Sequence, residues 1–184
     1  MVTERKLQFS IRAAAAEDLP ACLALDHSST SDYVWQVETE ETQGRTSYVF
    51  RTVRLPRTMT VMYPLGHEAV LAAWQRRDFF LVAEHEGTIY GYLVIRPDHA
   101  HSIGWIEGLV VGRAWRRRGV GSALLGYARQ WAGANSLRRL MIETQTKNYA
   151  AITFCQRQGF VFCGFNDRYY LNQDIALFFN QNIR

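Results

Sequence analysis

A turn rich in glycine and arginine is the part of the sequence with the clearest chemical meaning. It reads Arg116-Arg-Arg-Gly119-Val-Gly121-Ser122, follows an apolar segment and opens an amphipathic one. The two glycines allow the backbone to turn sharply with its N–H groups pointing outward, and a helix that starts there adds its positive end. Such a turn can bind a pyrophosphate, and the neighbouring arginines can pair with further phosphate oxygens.

Two better-known phosphate motifs do not fit this turn. The dinucleotide fingerprint needs a third glycine where Leu124 stands, and the chain has no Gly-Lys-Ser/Thr as a P-loop requires. The alternative to phosphate binding is a helix start with a solvated basic face. Nucleic-acid binding is less favoured, because no aromatic side chains are interleaved with these arginines as a stacking platform.

The charge distribution also points to a local anion site. The net charge is +4, yet the segment from Gly112 to Arg139 contains seven arginines and no Asp or Glu. The rest of the chain therefore carries 14 basic and 17 acidic residues. The surplus of positive charge belongs to the glycine turn and its flanks, which predicts a polyanionic small-molecule ligand.

The turn requires a strand before it and a helix after it, and the patterning supplies both. Residues 103–111 are predicted as the strand. After the turn, apolar residues at i, i+3, i+4, i+7, i+8 and i+11 from Val120 form one helix face. Further strands are predicted at 7–12, 33–39, 47–55, 79–83, 89–95, 140–143, 160–162 and 174–179, and helices from 17, at 65–75 and at 148–158. This order predicts an α+β (mixed α/β) fold in a single domain spanning residues 1–184.

Composition excludes several classes of protein. With 48% hydrophobic and 21% charged residues, the chain is not of the disordered or collagen-like kind. The three scattered cysteines suggest neither a disulfide framework nor a zinc site, and no metal is expected. No run reaches about 18 apolar residues, so we expect a soluble cytoplasmic protein without a membrane partner.

Two separate blocks resemble the GNAT acetyltransferases. Val111-Gly-Arg-Ala-Trp-Arg-Arg-Arg-Gly119-Val-Gly121-Ser-Ala-Leu-Leu is similar to their acyl-CoA signature, Arg/Gln-x-x-Gly-x-Gly/Ala. Asn148-Tyr-Ala-Ala-Ile-Thr-Phe-Cys155-Gln-Arg-Gln-Gly-Phe is similar to Asn-x-x-Ala-x-x-Phe-Tyr-x-x-x-Gly-Phe, with Cys155 in place of the Tyr. More narrowly, Ile106-Glu107, residues 141–145 and the ending 175–179 resemble streptothricin acetyltransferases, which acetylate an amine of a polycationic antibiotic.

The resemblance implies a fold and a set of acetyl-CoA-binding residues. The fold would be GNAT-like, with helices flanking a mixed, mostly antiparallel sheet that splays between the strands at 103–111 and 140–143. A bulge in the first of these strands would suit Gly108. Asn148 would bond the pantetheine arm, cap its own helix, or do both. The cofactor-binding residues implied are Leu109, Val110, Val111, Arg116, Arg117, Arg118, Gly119, Val120, Gly121, Ser122, Asn148, Ala151 and Cys155.

The resemblance also suggests candidates for proton transfer. Glu107 is the first candidate base, because a regular strand would place it among apolar neighbours that raise its pKa; a structural pairing with arginine is the alternative. Glu143 is the second candidate base. The acid is Cys155, Tyr170 or water, and the favoured interpretation of Cys155 is a small apolar helix residue.

The predicted reaction is direct acetyl transfer from acetyl-CoA to a primary amine of a small, cationic acceptor. An acidic stretch, with Glu38, Glu40 and Glu41 close to Asp32, would attract such an acceptor if it lines the site. The alternatives are acetylation of a protein N-terminus or lysine, and a non-catalytic acyl-CoA-binding domain. The sequence does not determine the oligomeric state, and a homodimer is the one assembly considered.

Overall fold

The computed structural model describes residues 7–63, 66–76 and 78–183. The strands are β1 (Ser10–Ala13), β2 (Ser29–Thr42), β3 (Arg45–Val61), β4 (Phe79–His85), β5 (Thr88–Asp98), β6 (Ile103–Val111), β7 (Arg139–Gln145), β8 (Val161–Asn166) and β9 (Ala176–Asn182). The helices are α1 (Leu19–Leu23), α2 (His67–Gln75), α3 (Val120–Ala134) and α4 (Tyr149–Arg157), with short 3-10 helices at Ala16–Asp18 and Arg113–Trp115. No helix within the described ranges is long and apolar enough to cross a membrane.

The sheet is mixed and mostly antiparallel. Its strand order is β1-β4-β5-β6-β7-β9-β8, while β2 and β3 form a separate two-stranded hairpin. The pairs β1–β4, β4–β5, β5–β6 and β8–β9 are antiparallel, and β6–β7 is parallel. This arrangement confirms the predicted fold class.

Most predicted elements are present, but the β2–β3 hairpin is longer than expected. The sequence predicted strands at 33–39 and 47–55, whereas the ladder runs from Ser29 to Val61. Its register shifts between Ser31 and Tyr33, opposite the segment that contains Pro56. A proline has no N–H to donate to the strand ladder and is typical of bulges. The predicted strand therefore ends before Pro56, although the ladder continues beyond it.

The described residues fall into two compact units. Unit one comprises the described parts of 1–27, 65–142 and 181–184, and unit two those of 28–64 and 143–180. In unit one, α3 packs on β1, β4, β5 and β6, where Leu81, Leu93 and Ile95 are buried. The strand residues between these point to the opposite face of the sheet, where they form a buried cluster with residues of α1 and α2. The members of this cluster are Cys22, Val70, Ala73, Phe80, Val82, Ile89, Tyr92, Val94 and Val110. A sheet covered on both faces explains the near-continuous apolar runs of β4 and β5.

Asp18 fixes the chain where the first 3-10 helix passes into α1. Its carboxylate accepts hydrogen bonds from Arg12 Nη1 at 2.6 Å, Arg12 Nη2 at 2.9 Å and the Ala15 N–H at 2.7 Å. The bonds from Arg12, partly opposed by burial, lower the pKa of Asp18. A buried acid is tolerated here because its charge is paired and hydrogen-bonded.

Unit two has an aromatic core. Trp35 and Phe50 of the hairpin contact each other and Phe162, while Trp35 also contacts Phe179 and Phe50 contacts Phe165. The ring centroids lie between 5.1 and 6.1 Å apart. Offset and edge-on contacts at these distances are favourable beyond the apolar area that they bury. The hairpin is therefore held to β8 and β9 by packing.

Candidate acetyl-CoA site and proton-transfer residues

The glycine turn lies at the start of α3, as predicted. Gly119 adopts a left-handed conformation with φ +89°, and a Cβ built on it would have no heavy atom within 4 Å. The first turn of α3 is closed by the Ala123 N–H bonding the Gly119 carbonyl at 3.0 Å. The N–H groups of Val120 and Gly121 therefore have no acceptor inside the helix. An open space in front of outward-facing N–H groups fits an anion such as a pyrophosphate.

Arg116 stabilises the turn through two hydrogen bonds to backbone carbonyls. It is half-buried, its Nε donates to the Val111 carbonyl at 2.8 Å, and its Nη2 donates to the Asp26 carbonyl at 2.6 Å. Burial lowers the pKa of this guanidinium. These two bonds tie the end of β6 to the segment after α1, so Arg116 shapes the turn whether or not it also reaches a ligand.

The next two arginines present their charge on the outside of the turn. Arg117 is exposed and, across the described part of the chain, forms no ion pair. The Arg118 guanidinium lies 5.5 Å from the ring centroid of Trp115, which stacks on Tyr90 at 3.9 Å. A cation over an aromatic face is held in a restricted position, which favours pairing with phosphate oxygens.

The strand before the turn carries the predicted bulge. Val94 pairs with Gly108 and Ile95 with Ile106, so Glu107 is the extra residue of β6. A Cβ on Gly108 would lie 3.2 Å from the Tyr92 ring, which explains why the smallest residue stands there. The parallel ladder with β7 covers residues 103–106 and 139–142 only, and within the described ranges it does not continue along 107–111. Leu109, Val110 and Val111 are paired with β5 on β6, and their binding of the cofactor stays a prediction.

Glu107 is ion-paired with two arginines. Arg96 Nε donates to Oε1 at 2.5 Å, Arg76 Nη2 donates to Oε2, and Arg76 also pairs with Asp78 at 2.6 Å. The sequence predicted apolar surroundings for this carboxylate, and the structure instead gives the arginine pairing considered as the alternative. Its role as a base is a prediction that this geometry does not favour, because both oxygens are already engaged.

In unit two, Asn148 caps α4. Its Oδ1 accepts the Ala151 N–H at 3.2 Å and the Ser29 hydroxyl at 3.2 Å. The cap satisfies one of the N–H groups that a helix start leaves without an intrahelical partner. Since the oxygen alone carries these bonds, the amide nitrogen of Asn148 can still donate to a pantetheine carbonyl, and the two predicted roles are compatible.

Cys155 lies on the buried face of α4. It is 1% exposed, and burial raises the pKa of its thiol to about 12. The thiol is therefore neutral near pH 7. A cysteine reacts as its thiolate, so this thiol is a poor nucleophile. These surroundings favour the interpretation of Cys155 as a packing residue.

Tyr170 and Glu143 both belong to unit two. Tyr170 is 7% exposed, and the Glu143 carboxylate of β7 acts on its phenol electrostatically. Burial, and next the negative charge of Glu143, raise the pKa of this phenol, so it keeps its proton at neutral pH. The second candidate base thus influences one candidate acid.

The acidic stretch of the first hairpin strand is not uniformly negative in three dimensions. Glu38 pairs with Arg51 of β3 at 3.1 Å, and both side chains are at least half exposed. The same strand β3 also contributes Arg45, Arg54 and Arg57. This mixed surface weakens the case for acceptor attraction from the acidic residues alone.

Comparison with known proteins decides the family. The model of the acetyltransferase (GNAT) family matches residues 49–160, well over half of the 184-residue chain. The chain belongs to the GNAT acetyltransferase family. As a GNAT member it is an acyltransferase that depends on acetyl-CoA.

Two relatives and one solved structure are similar to this GNAT protein. A stretch of 77 residues is 36% identical to streptothricin acetyltransferase A of Bacillus subtilis (strain 168), covering 40% of this chain and 44% of that protein. Streptothricin acetyltransferase of Streptomyces lavendulae is 23% identical over 175 residues, covering 92% of this chain and 90% of that protein. A Bacillus anthracis str. Ames protein solved with acetyl coenzyme A shares the fold, with a TM-score of 0.77 and 21% identity over 97% of this chain and 100% of that one.

The residues of this GNAT protein fit acetyl-CoA on structural grounds of their own. The open space at Gly119, the N–H groups at the start of α3 and the two solvent-facing arginines are of the kind that suits phosphates. Sequence reasoning did not identify which arginines pair with Glu107, and it missed the stacked pair Tyr90–Trp115 and the polar contacts of Asp174. All of these contacts join residues that the fold brings together, and no local sequence pattern predicts such contacts.

Proposed function

We propose that this enzyme transfers an acetyl group directly to a primary amine of a small cationic acceptor of the streptothricin class. The acceptor class is supported by the names of the two relatives, one of them similar over nine-tenths of this chain. The observation that carries the chemistry is that the Glu143 carboxylate of β7 acts electrostatically on the buried phenol of Tyr170. These two groups supply one proton acceptor and one proton donor, which acetylation of an amine requires.

The two side chains would divide the proton transfers between them. An aliphatic amine arrives protonated, and the Glu143 carboxylate would accept the proton that must leave before the nitrogen can act as a nucleophile. Acetyl-CoA, when bound, supplies the thioester that donates the acetyl group. Tyr170 holds its phenolic proton at neutral pH and would give it to the departing sulfur, while the proton that Glu143 has taken from the amine would replace it, so that no buried phenolate remains. The backbone N–H groups at the start of α3, with Arg117 and Arg118, would hold the pyrophosphate.

Glu107 would serve this reaction by shaping β6. Its ion pairs with Arg76 and Arg96 fix the extra residue of the bulge, directly before Gly108 and Leu109. Transfer without a covalent enzyme intermediate is supported by Cys155, because burial raises the pKa of its thiol to about 12 and deprives it of nucleophilic thiolate.

The test is acetylation of a defined acceptor panel. Purified protein and acetyl-CoA are incubated with streptothricin, with simple diamines, and with peptides bearing a free N-terminus or a lysine, and CoA release is followed with a thiol reagent. We expect streptothricin to give the highest kcat/KM and a product one acetyl group heavier by mass spectrometry. Preference for a peptide would contradict the proposed acceptor. Calorimetric binding of acetyl-CoA without turnover of any acceptor would indicate the binding domain instead.

A further inference from the structure

Asp174 gathers three polar side chains just before β9. Its Oδ2 accepts hydrogen bonds from Gln145 Nε2 at 2.5 Å and Asn172 Nδ2 at 2.7 Å, and it pairs with Lys147 Nζ at 2.6 Å. The Gln145 side chain is 2% exposed, so its amide is held inside the protein. Neither the cofactor turn nor the acid–base pair accounts for this cluster.

The cluster closes the turn formed by residues 170–174, here the Tyr170 turn. The Gln173 N–H donates to the Tyr170 carbonyl at 2.7 Å, and the Tyr170 N–H donates to the Asp174 carbonyl at 3.5 Å. The Asp174 N–H donates to Asn172 Oδ1 at 3.1 Å. The backbone of Asp174 is therefore bonded to that of Tyr170, while its carboxylate reaches outside the turn.

The end of β7 and a residue just beyond it hold the last residue of this turn. Gln145 of β7 bonds the Asp174 carboxylate, and Lys147 pairs with the same carboxylate. Residues two apart on a strand point to the same face, so Gln145 lies on the face of β7 that also carries Glu143. A turn whose last side chain is bonded in this way, and whose backbone joins its last residue to Tyr170, has little freedom to rotate.

We propose that Asp174, together with Gln145, is a positioning residue that fixes the turn carrying Tyr170 on the face of β7 that carries Glu143. The inference rests on the proposed function, in which Tyr170 is the proton donor. Proton donors act within hydrogen-bond reach, and a misplacement of about 1 Å can cost roughly 100-fold in rate. Without the Asp174 carboxylate the turn would lose its bonds to Gln145 and Lys147, and the hydroxyl would lose its fixed place.

The test is a double-mutant cycle on turnover with streptothricin as acceptor. We expect Asp174→Ala to lower kcat at least tenfold and Asp174→Asn to lower it less, with the KM for acetyl-CoA within twofold of wild type. In the Tyr170→Phe background the same changes should lower kcat no further, because Asp174 acts through the missing hydroxyl. Asp167→Asn, in an exposed carboxylate of the neighbouring segment, is the matched control and should leave kcat unchanged.

The outcomes separate this inference from the proposed function. If Tyr170→Phe slows turnover but both Asp174 variants keep wild-type kcat, positioning is refuted while the proton donor stands. Equal losses from Asp174→Asn with and without the Tyr170 hydroxyl would indicate a merely structural role and also refute it. Wild-type kcat in Tyr170→Phe, or no turnover of streptothricin by the wild type, would overturn the proposed function and this inference with it. Asp174→Asn carries the test if Asp174→Ala does not fold, as judged by circular dichroism and melting.

Discussion

Replacement of Gly119 tests the acetyl-CoA site most directly, because the structure separates its effect on folding from its effect on binding. A Cβ at Gly119 would meet no heavy atom within 4 Å, so alanine introduces no clash. The remaining cost is the left-handed backbone at φ +89°, about 1–2 kcal/mol for a residue with a Cβ. Alanine also restricts the unfolded chain, which offsets about 0.4–1 kcal/mol. The net loss of stability should be about 1 kcal/mol, a fall in Tm of about 2–4 °C.

Binding should suffer more than stability. A side chain at position 119 would stand in the open space before the α3 N–H groups, where the pyrophosphate is proposed to lie. Each hydrogen bond to a charged group is worth about 1.5–3 kcal/mol, so losing one would weaken binding roughly 10- to 150-fold. We expect Gly119→Ala to weaken acetyl-CoA binding within this range and Gly119→Val to abolish it, both measured by titration calorimetry.

Gly87 provides the matched control for backbone strain. It has φ +78° in the turn between β4 and β5, and a Cβ there would also meet nothing within 4 Å. Gly87→Ala should lower Tm about as much as Gly119→Ala and leave acetyl-CoA affinity unchanged. Wild-type affinity in a folded Gly119→Val variant would refute the assignment of this turn to the pyrophosphate. Equal loss of affinity in Gly87→Ala would show that strain alone explains the effect.

Three further predictions concern the acid, the base and stability. Tyr170→Phe should lower kcat at least 100-fold at unchanged KM for acetyl-CoA, whereas Cys155→Ala should keep kcat within threefold; the reverse order would make the thiol the donor. Glu143→Gln should lower kcat at least 100-fold and Glu107→Gln should lower it less, so a larger loss in Glu107→Gln would restore Glu107 as base. Asp18→Asn should cost about 2 kcal/mol in urea unfolding at pH 7, since charged hydrogen bonds are lost. The pKa of Asp18 is lower in the folded than in the unfolded protein, so the difference in unfolding free energy between wild type and Asp18→Asn should be largest above about pH 4. It should shrink as the pH falls through the folded pKa. A difference that does not change with pH would contradict this prediction.

The elements around the glycine turn could be predicted because local patterns specify them. Strand β6 occupies the predicted residues, and α3 begins at Val120, where its apolar periodicity begins. The bulge beside Gly108 was also predictable, since a glycine inside an apolar strand marks an irregular pairing. Each of these features is determined by residues within a few positions of one another.

The surroundings of the candidate acids and bases could not be predicted in the same way. Glu107 meets Arg76, 31 positions earlier at the end of α2, and Arg96, 11 positions earlier on β5. Strand periodicity predicted its neighbours along β6 alone, and so it predicted an apolar setting. Contacts across strands and between helix ends are products of packing, which a periodic pattern does not encode.

The buried setting of position 155 explains why this chain can lack the tyrosine that its second motif would place there. Cys155 is 1% exposed on α4, and a phenol at this point would force its neighbours apart, at a cost of about 1–3 kcal/mol. In the proposed mechanism the donor is Tyr170, which comes from a turn held by β7 and not from the helix. In that mechanism the hydroxyl comes from a different element, and its position would depend on the Asp174 cluster. Loss of the motif tyrosine is then compatible with catalysis, provided that β7 keeps the Tyr170 turn in place.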